Sequence, residues 1–181
     1  MDCLESPHRH EEAKGMNAAP AHDDSAAFRL AIREFAAGVA IVTSGAGAAR
    51  IGCTVTAMTS LSLSPPSLLV CLGRNTGTLA RLRETGAFAV NVLGAQHQAL
   101  SDRFAGRGDV RGPARFSQGD WITMVTGSPA LSDALAAIDC RVEEIVERHS
   151  HAIVIGAVVG VRRGGDGPAL AHWRSRYETL A

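Results

Sequence analysis

Between Gly52 and Pro66 the chain reads GCTVTAMTSLSLSPP, with hydroxyls at Thr54, Thr56, Thr59, Ser60, Ser62 and Ser64 and no charged residue. An extended segment facing only a core would not carry so many hydroxyls, and one facing only water would usually carry Lys, Glu or Arg. Small neutral donors and acceptors at this density suit a planar ligand held by many weak hydrogen bonds. A second group follows at Arg74-Asn75-Thr76-Gly77-Thr78, a turn that opens a helix. The unpaired N–H groups of that first turn form an anion or phosphate site, or else Thr76 or Thr78 simply caps them. Asn91 sits inside the apolar run FAVNVL, either as a satisfied core amide or as part of the same pocket. His149 and His151 put two imidazoles on one face of a strand, with no evident third ligand for a metal.

A planar heterocycle with a phosphate tail would use all of these groups except the paired imidazoles. Other chemistries lack their signatures. There is no G-x-G-x-x-G after a strand, no Walker loop, no G-x-S-x-G and no H-E-x-x-H.

The elements that must position these groups follow from periodicity. Residues 1–24 have none and are expected to form a disordered tail, with Met16 an alternative first residue. SAAFRLAIREFAAG reads as a helix with Ser25 as N-cap, Phe28, Ile32 and Phe35 along one face, and Gly38 as its stop. Strands are predicted over 39–44, 67–72 and 87–93, and the hydroxyl-rich stretch is read as one extended segment. A short helix closed by Gly86 and a second with Leu100 and Phe104 inward lie between and after them. Residues 106–130, rich in Gly, Pro, Arg and Asp, read as a long surface excursion. Two long strands, 136–149 and 151–163, turn near Arg148–Ser150, and a short final element ends the chain. Six or seven strands against two or three short helices predict a mainly β, antiparallel closed barrel with peripheral α-helices. A single domain is expected over 25–181.

The 181 residues carry zero formal net charge, which points away from nucleic acid and anionic membranes. No apolar run reaches the roughly 18 residues of a membrane span. The four cysteines, Cys3, Cys53, Cys71 and Cys140, contain no C-x-x-C, and no secretory leader opens the chain. Both features fit a reducing cytoplasm.

Seven segments in order carry a family resemblance: FAAGVAIVTS, GCTVTAMTSLSLSPPSLLVCL, NTGTLARLRETGAFAVNVL, DRFAG, FSQGDWITMVTGSPALSDALAAIDCRVEEIV, HAIVIGAVVGV and PALAHWRSRYETL. From about Phe28 to Leu180 the chain resembles the flavin reductase domain of two-component flavin monooxygenases. These are short-chain reductases with an FMN-binding split barrel of Greek-key-like connectivity. The resemblance implies FMN or FAD, NADH or NADPH, a C2 homodimer with flavin near its interface, and a monooxygenase that receives reduced flavin. It places Thr54, Val55, Thr56 and Ala57 along the isoalloxazine edge. Ser60 and the turn of Asn75, Thr76 and Thr78 lie toward the ribityl phosphate, with Asn91 near the same pocket. His151 corresponds to the His of a Gly-Asp-His motif, where it positions the nicotinamide and transfers no proton; here Ser150 replaces the Asp. Trp173, Arg174 and Tyr177 match a stretch that approaches the dinucleotide, or else close the barrel structurally. Two other readings accompany this one: a flavoprotein that keeps FMN and reduces another acceptor, and a flavin- or haem-binding module without turnover.

Overall fold

The computed structural model describes residues 25–181. The tail expected over 1–24 lies outside the described residues. The main elements run α1 (Ser25–Ile32), β1 (Ala37–Gly38), β2 (Ala40–Ser44), β3 (Ile51–Val55), β4 (Met58–Leu63), β5 (Pro66–Gly73), α2 (Gly77–Thr85) and β6 (Ala87–Val92). They continue as α3 (Gln98–Phe104), β7 (Trp121–Thr123), β8 (Pro129–Leu131), β9 (Ala136–Arg148), β10 (His151–Arg163), β11 (Ala169–Trp173) and β12 (Arg176–Leu180).

Seven antiparallel strands form the main sheet in the order β3-β2-β6-β9-β10-β5-β4. Its two edge strands, β3 and β4, are neighbours in sequence and join through Thr56 and Ala57. The sheet therefore curls until its edges meet at that corner. Met58 N–H donates back to Thr56 O at 3.2 Å, and Cys71 N–H of β5 donates to Ala57 O at 2.9 Å. Closure by a covalent corner in place of a continuous ladder makes a split barrel, as the family resemblance implies; the strand count alone led to a closed one. The hydroxyl-rich stretch is thus two strands with a sharp bend, not one extended segment.

β2 shows why the sheet holds. Ala40 and Val42 enter an inner cluster with Leu72, Leu79, Phe88 and Val154, while Val39 and Ile41 enter an outer cluster with Leu100, Phe104, Phe116 and Leu170. A period-two strand buried on both faces is the result, each large side chain contributing roughly 1.5–3 kcal/mol. Gly156 of β10 is obligatory here, because a Cβ would come within 2.7 Å of the Phe88 ring. α2 starts at Thr76, whose hydroxyl accepts from Leu79 N–H, and ends at Gly86 in the left-handed region at φ 63°.

Three expectations are corrected. α1 ends at Ile32, well before Gly38, and its apolar side chains are exposed: Phe28 64%, Ile32 48% and, just beyond it, Phe35 72%. The excursion over 106–130 contains a 3₁₀ segment (Gly112–Ser117) and the small β7–β8 hairpin. The final element is itself a hairpin, β11–β12, whose turn residues Arg174 and Ser175 both have positive φ.

Candidate functional site

The barrel corner opens into a cleft of about 370 Å³ lined by the Cys53–Ala57 backbone and side chains, Cys71–Gly73, Thr76, Phe104, Ala105 and His151. Its size falls in the roughly 300–1,000 Å³ range of small-molecule sites. Two further clefts, about 150 and 420 Å³, adjoin it through the shared Thr56. The smaller adds Arg107, His172 and Tyr177; the larger adds Phe35, His172 and Arg174.

Each polar group is placed by its element. β3 pairs only with β2 along its length, so its other edge presents peptide groups beside the cleft. Thr54 Oγ1 donates to Ser101 O at 2.6 Å, which fixes its rotamer against α3. Thr56 and Ala57, at the bend, are exposed. Thr76 Oγ1 donates to Gly73 O at 2.8 Å while capping α2, so the helix N-terminus is set at one end of the cleft. His151 begins β10 opposite Gly73, and its Nδ1 lies 2.8 Å from Ser150 Oγ.

Among the described residues, no Asp, Glu, Lys or Arg lines the main cleft. Burial pushes the Cys53 thiol up, and neither its hydrogen bond to Thr78 nor the nearby Arg115 cation reverses this, so it remains a neutral thiol. Burial likewise raises the Tyr177 phenol, with the bond to Ser101 opposing and Asp102 adding to the rise. Its hydroxyl stays protonated, 2.9 Å from both Ser101 Oγ and Asp102 Oδ1. A cleft with neutral donors, a helix N-terminus and an apolar floor fits a flavin: the hydroxyls and peptides suit the ring edge, and the helix end suits the phosphate.

Thr54, Val55, Thr56, Ala57, Thr76 and His151 therefore come together in one cleft. Asn75 is exposed beside it, and Thr78 is buried behind Cys53. Ser60 instead lines a separate 220 Å³ cleft with Met58, Leu68 and Ile138. Asn91 is fully buried and fully used: Nδ2 donates to Ile41 O at 3.0 Å and Thr43 Oγ1 at 3.3 Å, and Oδ1 accepts from Leu131 N–H at 2.7 Å. Of the two alternatives for Asn91, the geometry is that of the satisfied core amide. Trp173 stacks under Arg174, 4.4 Å from its guanidinium, and Arg174 pairs with Glu34 at 2.7 Å. His149 sits in the β9–β10 turn at φ 49°, not on the strand, so the two imidazoles do not share a strand face. No cluster of three metal-ligating side chains occurs among the described residues.

Sequence reasoning missed Phe104, His172 and Arg107 as lining residues. Phe104 was recognisable only as a core position, and it is one: it is 1% exposed and stacked edge-on against Phe116, with centroids 4.9 Å apart.

Solved structures that share this antiparallel barrel are flavin reductases. The flavin reductase component BorF of a bacterial two-component tryptophan halogenase superposes with TM-score 0.80 at 32% identity, covering 87% of this chain and 98% of that one. The Streptomyces globisporus NADH:FAD oxidoreductase SgcE6, in complex with NAD and FAD fragments, gives TM-score 0.78 at 28% identity over 90% and 98% of the two chains. The flavin reductase like domain matches residues 32–181, and the chain belongs to that family. An FMN reductase (NADH) of Methylorubrum extorquens, RutF 1, is 40% identical over 160 residues, spanning 87% of this chain and 77% of that protein.

Proposed function

We propose that the protein is an NADH-dependent flavin reductase that takes FMN as an exchangeable substrate and supplies reduced flavin to a separate oxygenase. The observation that carries this is the meeting of Thr54–Ala57, the capped α2 N-terminus and His151 in one cleft without charged walls. When bound, flavin supplies the N5 acceptor for the hydride leaving the nicotinamide C4. The chain itself supplies geometry. β3 peptides and the Thr54 and Thr56 hydroxyls hold the ring edge, the α2 terminus takes the phosphate, and Phe104 with Val55 excludes water from one wall. His151 orients the nicotinamide and moves no proton. Hydride transfer requires no general acid, consistent with the absence of a carboxylate or Lys from the cleft lining among the described residues.

Neutral donors bind flavin without strong bias toward one redox state, which favours release. The relatives named for FMN and NADH support that choice of substrates, and the halogenase reductase component supports a partner that consumes reduced flavin. Exposed Phe28, Ile32, Phe35 and Leu63 support burial against a second copy of the chain, as a cytoplasmic homodimer. NADH oxidation measured with and without free FMN tests the assignment. Several-fold stimulation by FMN is expected. A rate that stays at background with FMN and FAD, and with NADH and NADPH, would refute it.

A further inference from the structure

Three charged side chains, Arg74, Arg83 and Glu147, gather beside the exposed β9–β10 turn. Arg74, the first residue after β5, grips the turn at three points. Its backbone N–H donates to Ser150 O at 3.0 Å, its Nη1 to His149 O at 3.1 Å, and its Nη2 pairs with Glu147 at 2.7 Å. Glu147 is pulled on its other oxygen by Arg83 of α2. These side chains are roughly half exposed, so as ion pairs they add little to stability. Their arrangement is nevertheless specific, because the rigid planar guanidinium directs Nη1 to a carbonyl and Nη2 to a carboxylate in one fixed geometry.

The gripped turn is also strained, since His149 is a non-glycine residue at φ 49°. The next ring along the chain is His151, which lines the flavin cleft opposite Gly73 of β5. Gly73 has no side chain to crowd it. Ser150 Oγ occupies the Nδ1 side of that ring at 2.8 Å, leaving Nε2 for a ligand.

We propose that Arg74 and Ser150 are positioning residues for hydride transfer: Arg74 fixes the β9–β10 turn against the barrel, and Ser150 fixes the imidazole of His151. This rests on the flavin reductase assignment above. Neither residue touches the reacting atoms; both act through His151. A hydroxyl serves here because the ring needs an orientation, not a charge partner.

The test uses the full-length protein and four variants, Ser150→Ala, Ser150→Thr, Arg74→Ala and Arg74→Lys, each checked for fold by circular dichroism. The first readout needs no flavin: ¹⁵N NMR of the His151 ring. In the wild type and Ser150→Thr the Nδ1 signal is that of a ring nitrogen engaged by a hydroxyl; in Ser150→Ala it moves to that of a solvent-facing nitrogen. The second readout is single-turnover reduction of bound FMN by NADH. Ser150→Ala and Arg74→Ala are expected to slow it by roughly 5- to 50-fold, below the ~10² that misalignment can cost. Ser150→Thr restores the rate and Arg74→Lys restores it in part, while FMN affinity changes by less than about twofold. An unchanged Nδ1 signal with unchanged hydride transfer in Ser150→Ala overturns the role of Ser150. Loss of FMN affinity in step with rate in the Arg74 variants overturns the role of Arg74 and makes it a flavin ligand. Should Arg74→Ala not fold, Arg74→Lys decides, a full rate counting against the fork. A wild type that reduces neither flavin sinks the reductase assignment instead, and the ring spectrum still decides whether Ser150 orients His151.

Discussion

Asn91→Leu separates a core role from a cofactor role at one residue. The replacement keeps the branched outline of the side chain but enlarges it at a fully buried position, so the lost hydrogen bonds set the least effect and crowding adds to it. Three bonds disappear, to Ile41 O, Thr43 Oγ1 and Leu131 N–H, all at buried positions. The Leu131 N–H has no water to turn to, since Leu131 is 1% exposed. A buried donor left unpaired costs about 1–3 kcal/mol, and the lost bonds on the donor side add about 1 kcal/mol more. The hydrogen bonds alone account for about 2–4 kcal/mol, a fall in Tm of at least about 5–15 °C for a domain of this size. Urea unfolding followed by fluorescence of Trp121 and Trp173 measures the first quantity, and FMN titration well below the transition measures the second. Stability is expected to fall while FMN affinity stays within about twofold of wild type. Unchanged stability with affinity lost would show that the amide serves the cofactor, and that its buried bonds do not set its role.

Thr56→Leu at the bend should weaken FMN binding at least about tenfold by filling the cleft, whereas Ser60→Leu, in the separate cleft by Met58, should leave it nearly unchanged; fluorescence titration distinguishes them. Cys140, buried and beside Asp139, has its thiol pushed up to about 12 from an ordinary value of 9.0. Between those values the unfolded chain releases a proton that the folded chain keeps, so stability falls as pH rises through that window, by at most about 1.4 kcal/mol per unit for this group. Cys140→Ala should flatten part of that fall in unfolding experiments at alkaline pH, the rest remaining because Cys53 and Tyr177 are raised too. Light scattering at micromolar concentration should give a dimer mass, and Phe35→Asp together with Phe28→Asp should shift it toward the monomer.

The strands were legible because the short apolar runs of β2 and β6 and the long runs of β9 and β10 encode burial directly. Gly86 was legible because a left-handed helix end selects glycine. The bend at Thr56–Ala57 was not: the hydroxyl-rich pattern runs across it unbroken, and no Gly or Pro marks it. The final hairpin escaped for a related reason, since its turn uses Arg174 and Ser175 at positive φ where Asn or Gly would have announced it. α1 shows a different limit. Periodicity identifies an apolar face but not what covers it, and Phe28 and Ile32 remain largely exposed. Asn91 illustrates the limit for the site, because a buried amide signals that partners exist without saying which. The cleft itself drew Thr54–Ala57, Thr76 and His151 from three distant segments, and family resemblance, not spacing, joined them.

Direct hydride transfer requires flavin and nicotinamide to meet in this one cleft. Anaerobic stopped-flow mixing of the FMN-loaded protein with NADH tests it most directly. Loss of the oxidised-flavin absorbance in a single turnover is predicted, slowed by deuterium at the transferred C4 position, followed by release of reduced FMN to an added acceptor protein. Flavin that stays oxidised through that experiment, despite measurable FMN binding, would contradict the account.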